Sequence, residues 1–134
     1  MKSIYILGLL LFSLNSLGQK SKLTDEQLNS SGANKLIFID NINQADSLAK
    51  IDINKGIPFL LLQSGISPVG YTTDSRFEEK YKVYYFESGC TGPNEMFASE
   101  YNGVIFEYLT NKFGKKWMRE IRKDVIGYKI FVEK

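Results

Sequence analysis

The sequence has no histidine and one cysteine, Cys90, among 134 residues. The missing imidazole removes the commonest general base and the commonest metal ligand. A single thiol excludes an internal disulfide, and a zinc site built on it without histidine departs from the usual donor sets. No metal and no cofactor are therefore expected. No apolar run approaches the roughly 20 residues that cross a bilayer. The longest, from Ile4 to Leu14, has 11. Charge of one sign is lacking too: the net charge is +2, so bulk electrostatics name no partner and nucleic acid is not expected. Low-complexity tracts, repeats and internal linkers are absent from the pattern.

What is present begins with Met1-Lys2-Ser3, then the apolar run, then Asn15-Ser16-Leu17-Gly18. A positive start, a short apolar stretch and small residues at Ser16 and Gly18 are the ordered parts of a secretory signal peptide. Residues 1–18 are expected to be removed on export to the periplasm or the extracellular space. No cysteine follows Gly18, so bacterial lipid attachment has no acceptor. The chain from Gln19 onward has 116 residues, one domain's worth, and can bury about two-thirds of its unfolded surface without staples. It divides into a polar N-terminal arm, 19–34, and a domain, 35–134.

Along that chain, Thr24 and Gln27 fit a capping box for a short helix. The run 36–39 reads as a short buried strand. Residues 43–50 read as a helix capped by Asn43 and stopped at Lys55-Gly56. Residues 59–62, apolar throughout, read as a strand buried on both faces. Ser75 and Glu78 suggest another capping box, opening a helix on which Phe77 and Tyr81 stack. Aromatic and β-branched residues at 82–86 predict a strand. Beyond Gly89-Cys90-Thr91-Gly92-Pro93, with Pro93 in the first helical turn, Phe97, Tyr101, Val104, Ile105, Tyr108 and Leu109 mark one face of a long helix. Gly103 interrupts that face, which suggests close helix–sheet packing. Phe113-Gly114 ends the helix. Residues 115–124 read as a further helix with Trp117 inward, and 128–132 as a final strand. Strands alternating with helices predict a small single α/β domain of three or four mostly parallel strands with crossover helices, in which 36–39, 59–62 and 83–86 are neighbours.

Parallel strands place ligands at their carboxyl ends. Cys90 follows a strand and precedes a helix, where a thiol is activated as a nucleophile or redox group. Against this, the sequence supplies no histidine base, no second cysteine, and no arginine between Cys90 and Arg119 to cradle a phosphate; the alternative is a small packed thiol. The loop 63–73 emerges at the same edge and is long for its kind. Candidate ligand-binding residues are accordingly Ser64, Gly65, Tyr71, Arg76, Cys90, Thr91 and Glu95. Glu87, Glu95 and Asp74 supply carboxylates near the turn, though Asp74 and Glu95 also suit first helical turns as caps. A basic surface of Lys112, Lys115, Lys116, Arg119, Arg122 and Lys123 is either an anion-binding patch or a solvated helix face.

Phe77-Glu78-Glu79-Lys80-Tyr81, running on through Lys82-Val83-Tyr84-Tyr85 to Gly89-Cys90, resembles the signature of the FEKKY-domain proteins, with Glu79 where the signature has lysine. The likeness covers residues 74–93; weaker likeness lies at 52–56 with 60–62, and at Gly114 with Trp117. These are small exported bacterial proteins without an assigned activity, so the resemblance implies export and one domain, and no chemistry. The residues and the resemblance together predict an exported, non-enzymatic domain that binds an unknown protein or small ligand at the edge 63–73/88–95. The alternative is a thiol-dependent or hydrolytic enzyme using Cys90. Protein recovered from the periplasm or medium should begin at Gln19 or within a few residues of it; intact-mass analysis finding Met1 retained on exported protein would refute this.

Overall fold

The computed structural model describes residues 23–134 apart from 64, 66 and 68. The expected signal peptide lies outside the described residues. Thr24 caps helix α1 (Asp25–Asn29): its hydroxyl accepts from Gln27 N at 3.1 Å while its own N–H donates to Gln27 Oε1 at 2.8 Å, the capping box in full. Ser31 caps α2 (Gly32–Lys35), its hydroxyl accepting from Asn34 N at 3.1 Å. Thus the described part of the stretch read as a polar arm is two short helices, and Ser31, Gly32 and Ala33 are buried.

The run 36–39 is not a strand. Residues Leu36–Phe38 form a 3-10 turn continuing α2, in which Leu36 is buried but Ile37 and Phe38 are exposed, Phe38 by 79%. A four-residue apolar run carries no period, and the capped helix just before it propagates into it. Helix α3 (Ile42–Asn54) follows, capped by Asn41 rather than Asn43: the Asn41 side chain accepts from Asn43 N at 2.8 Å, and Gln44 closes the box. Lys55-Gly56 stops it as expected, with Gly56 at φ +74°.

Strand β1 (Phe59–Leu61) is wholly buried, helix α4 (Asp74–Tyr81) crosses over, and strand β2 (Tyr84–Phe86) returns parallel to β1 in the register Phe59↔Tyr84, Leu60↔Tyr85, Leu61↔Phe86. The parallel pairing of 59–62 with 83–86 therefore holds. The sheet has two strands among the described residues, with one antiparallel bridge from Leu62 to Val125, and not three or four. Helix α4 begins at Asp74, with Thr73 at the cap position, so Ser75 stands inside the first turn rather than at the cap where the box would place it. Phe77 and Tyr81 are in contact, with ring centroids 4.8 Å apart, but their rings are tilted at 49° rather than stacked; the ring stacked on Phe77 is that of Tyr85, at 5.2 Å.

Helix α5 (Glu95–Phe113) is capped by Asn94, with Pro93 just outside it, and ends at Gly114. Its buried face is Ala98, Tyr101, Asn102, Ile105, Phe106 and Leu109, shifted one residue from the expected stripe. A side chain at Gly103 would meet nothing within 4 Å, so close packing does not explain that glycine. Residues 115–124 are a 3-10 turn, Lys116–Arg119, and irregular backbone rather than one helix. The tail is helix α6 (Tyr128–Val132), not a strand. Trp117 is fully buried and stacks on Phe106 at 5.6 Å, so the aromatic core settles where the turn lies.

Helices α2, α3 and α5 meet at Asp52, which is fully buried. Its carboxylate accepts from Gly32 N at 2.8 Å, Ala33 N at 3.0 Å and the Tyr101 hydroxyl at 2.7 Å. Burial, then the neighbouring carboxylate, holds the Tyr101 phenol well above its usual range, so it remains a donor. Only glycine fits at 32, where a Cβ would stand 2.5 Å from Leu48 O and 2.9 Å from Asp52 Oδ2. Asp52→Ala strips three buried donors of their acceptor and should cost roughly 3 kcal/mol of stability in urea denaturation. A loss under about 1 kcal/mol would mean that those donors find other partners.

Candidate functional site at the carboxyl edge of the sheet

The two strands run the same way, so the chain leaves both at one end. After Leu61 the backbone is held by pairing: Leu62 N donates to Phe86 O at 2.9 Å and Gln63 N to Asp124 O at 2.8 Å. After β2, residues Gly89–Thr91 make a 3-10 turn with Gly89 at φ +66°, a conformation that suits glycine. Gly92 and Pro93 then lead to Asn94, whose side chain accepts from Met96 N at 2.8 Å and starts α5.

Between these segments lies a cleft of about 630 Å³ lined by described residues on three sides. Gln63 and Gly65 form one wall, and Ser88 to Cys90 with Gly92, Pro93 and Glu95 form the second. Leu62 and Ile126 contribute the apolar part. Of the residues singled out in the sequence, Gly65, Cys90 and Glu95 come together here. Ser64 lies outside the described residues. Thr91 and Arg76 are exposed but do not line the cleft, and neither does Tyr71. Cys90 is exposed, so the packed-thiol alternative does not hold.

Tyr71 is instead part of a clamp built on Arg122. The guanidinium, only 7% exposed, donates to both oxygens of Asp124 at 2.9 and 2.6 Å, to Asp74 Oδ2 at 3.0 Å and to Val69 O at 2.8 Å. It lies 4.7 Å from the centroid of the Tyr71 ring and 5.5 Å from that of Tyr85. The bond to Asp124, opposed by desolvation, is the chief reason the guanidinium is held above even its usual range. Burial likewise pushes the Tyr85 phenol far up, and its oxygen accepts from Arg122 N at 3.1 Å. Arg122 thus belongs to the interior and drops out of the basic surface expected from sequence. Its bidentate fork ties residues 69–74 to the C-terminal segment next to the cleft.

Two features had no local signal. Ile126 reaches the cleft because Ile126 N donates to Leu61 O at 3.0 Å, a pairing across more than sixty residues. A second groove, of about 590 Å³, lies along Phe38 to Asn41 and the first turns of α3, with the exposed Phe38 among its lining residues. Elsewhere, Tyr81 donates to Glu120, which also takes Lys80 at 2.6 Å. The bonds from Lys80 and then Tyr81 hold the Glu120 carboxyl below the usual range. Among the described residues no group of three acidic or thiol side chains is disposed around a metal, and no helix is long and apolar enough to cross a membrane.

The fold and cleft define a small, helix-rich α/β domain open at the carboxyl end of a parallel strand pair. No family model, curated protein or solved structure matches the chain. With Cys90 at the cleft surface, a maleimide should label the native protein at one site without denaturant, and Cys90→Ser should abolish labelling. Labelling only after unfolding would contradict the exposed position.

Proposed function

We propose that this chain is an exported domain of the FEKKY type that binds a small ligand or a short partner segment in the cleft between 63–65 and 88–95, without catalysing a reaction. The observation that carries the reading is the cleft's position at the carboxyl end of parallel β1 and β2, the usual place for ligands in such sheets. Its lining supports it. Gly65, Gly89 and Gly92 expose backbone to an occupant, Leu62, Pro93 and Ile126 offer apolar contact, and Glu95 is the charged side chain among the described lining residues. The sequence places no histidine beside these groups, which favours binding over acid–base chemistry.

Exposure of Cys90 inside that cleft favours a second reading, thiol chemistry with Glu95 as its neighbour on the wall. The two separate by rate: a thiol enzyme's Cys90 reacts faster than a model thiol at pH 7, and a binding wall's does not.

Gly92 lines the cleft and has φ −65° and ψ 164°, open to any residue, so Gly92→Phe adds a bulky side chain at its wall without backbone strain. In a thermal-shift screen of small molecules, ligands that stabilise the wild type should lose about tenfold or more in affinity for Gly92→Phe, while the unliganded melting temperature stays within a few degrees. Ligands that bind the variant as tightly as the wild type would place binding elsewhere and end this reading.

A further inference from the structure

The near-neutral total conceals a strong separation of charge. Residues 23–111 hold six lysines and arginines against twelve acids, a net −6, while 112–134 hold eight against three, a net +5. The structure sets most of that positive charge on adjoining segments. Trp117 is buried, and its ring lies 6.2 Å from Tyr128 and 6.1 Å from Phe131, so the turn Lys116–Arg119 and helix α6 lie side by side. With Trp117 and Tyr128 turned inward, Lys115, Lys116, Arg119 and Lys129 are left exposed. Lys123 joins them, its ammonium 4.9 Å from the Tyr128 ring centroid. Of the three acids, Asp124 is taken up by Arg122 and Glu120 by Lys80 and Tyr81. The third acid, Glu133, is exposed beside Lys134, and α6 also exposes apolar side chains: Ile130, next to Lys129, is 62% accessible, and Val132, on another side of the helix, 44%.

We propose that this face, the 115–119 turn with α6, docks on an anionic lipid surface. The lysines and Arg119 meet the headgroups, and Ile130, the most exposed apolar side chain of α6, enters the boundary with the acyl chains. The pairing of charge with exposed aliphatic side chains decides the partner. A soluble polyanion would satisfy the cations but offer nothing to Ile130, whereas the lipid boundary rewards both. The acidic remainder of the molecule is repelled by the same surface, which orients the basic end toward it. Binding is peripheral, because among the described residues no helix is long and apolar enough to cross a membrane.

The test is co-sedimentation of the exported protein, from Gln19 onward, with vesicles of phosphatidylglycerol and phosphatidylcholine, against phosphatidylcholine alone, with heparin as the soluble polyanion. The variants are Lys115→Glu/Lys116→Glu and Ile130→Ser, all at exposed positions. The apolar run at 4–14 then takes no part, so partitioning reports this face. The charge reversal should weaken partitioning onto anionic vesicles by about tenfold or more, with added salt doing the same to the wild type. Ile130→Ser should weaken it about threefold while leaving heparin retention unchanged. Equal partitioning of the wild type and the charge reversal would overturn the proposal. So would heparin retention without preference for anionic over neutral vesicles.

Discussion

A carboxylate wholly removed from water, Asp52, accepts from two backbone amides at the start of α2 and from the Tyr101 hydroxyl of α5. A buried charge is tolerable only when its hydrogen bonds are met, so the position of three helices is set together or not at all. The consequence reaches the sheet. Tyr101, held by Asp52, uses its oxygen to accept from Phe59 N at 3.2 Å. One residue further along α5, Asn102 accepts from Leu61 N at 2.9 Å and donates to Leu61 O and Ile126 O at 2.9 and 2.8 Å.

That arrangement explains why the sheet stops at two strands among the described residues. On the side of β1 away from β2, backbone groups would ordinarily call for a third strand. Two adjacent side chains of α5 answer them instead, and Ile126 N completes the edge. The cleft follows from the same economy. Because a helix and an irregular C-terminal segment close β1, the loops beyond both strands stay open at the carboxyl end, with Ile126 at the base of the opening.

Arg122 and the lysines near it show how alike residues are divided by tertiary position. In sequence, the six cations of 112–123 form one cluster. In the structure, Arg122 turns inward, where a planar fork matches Asp124 and lies within cation–π distance of Tyr71 and Tyr85, a task no ammonium performs as well. Lys115, Lys116 and Arg119 stay exposed to water. One cation of the cluster is thus an internal clamp while its neighbours form an exposed basic surface.

Much of the local structure was legible in the residues. The Thr24 box, the stop at Lys55-Gly56, the apolar strand 59–62, the aromatic strand read at 82–86 and the long helix ending at Gly114 all rest on short-range preferences. Those operate within a few residues and need no partner. Gly65, Cys90 and Glu95 were likewise foreseeable as neighbours once two strands were read as parallel. The runs 36–39 and 128–132 misled because four or five apolar residues carry no period, and the choice between helix and strand fell to capping by Ser31 and to packing on Phe106 and Trp117. The roles of Asp52, Asn102, Arg122 and Ile126 depended on contacts across twenty to sixty residues of chain. Sequence alone determined which segments were apolar and where they began and ended. Only the tertiary structure decided which polar side chains were buried to complete a neighbour's hydrogen bonds, because that demand arises only when distant backbone is brought together out of water.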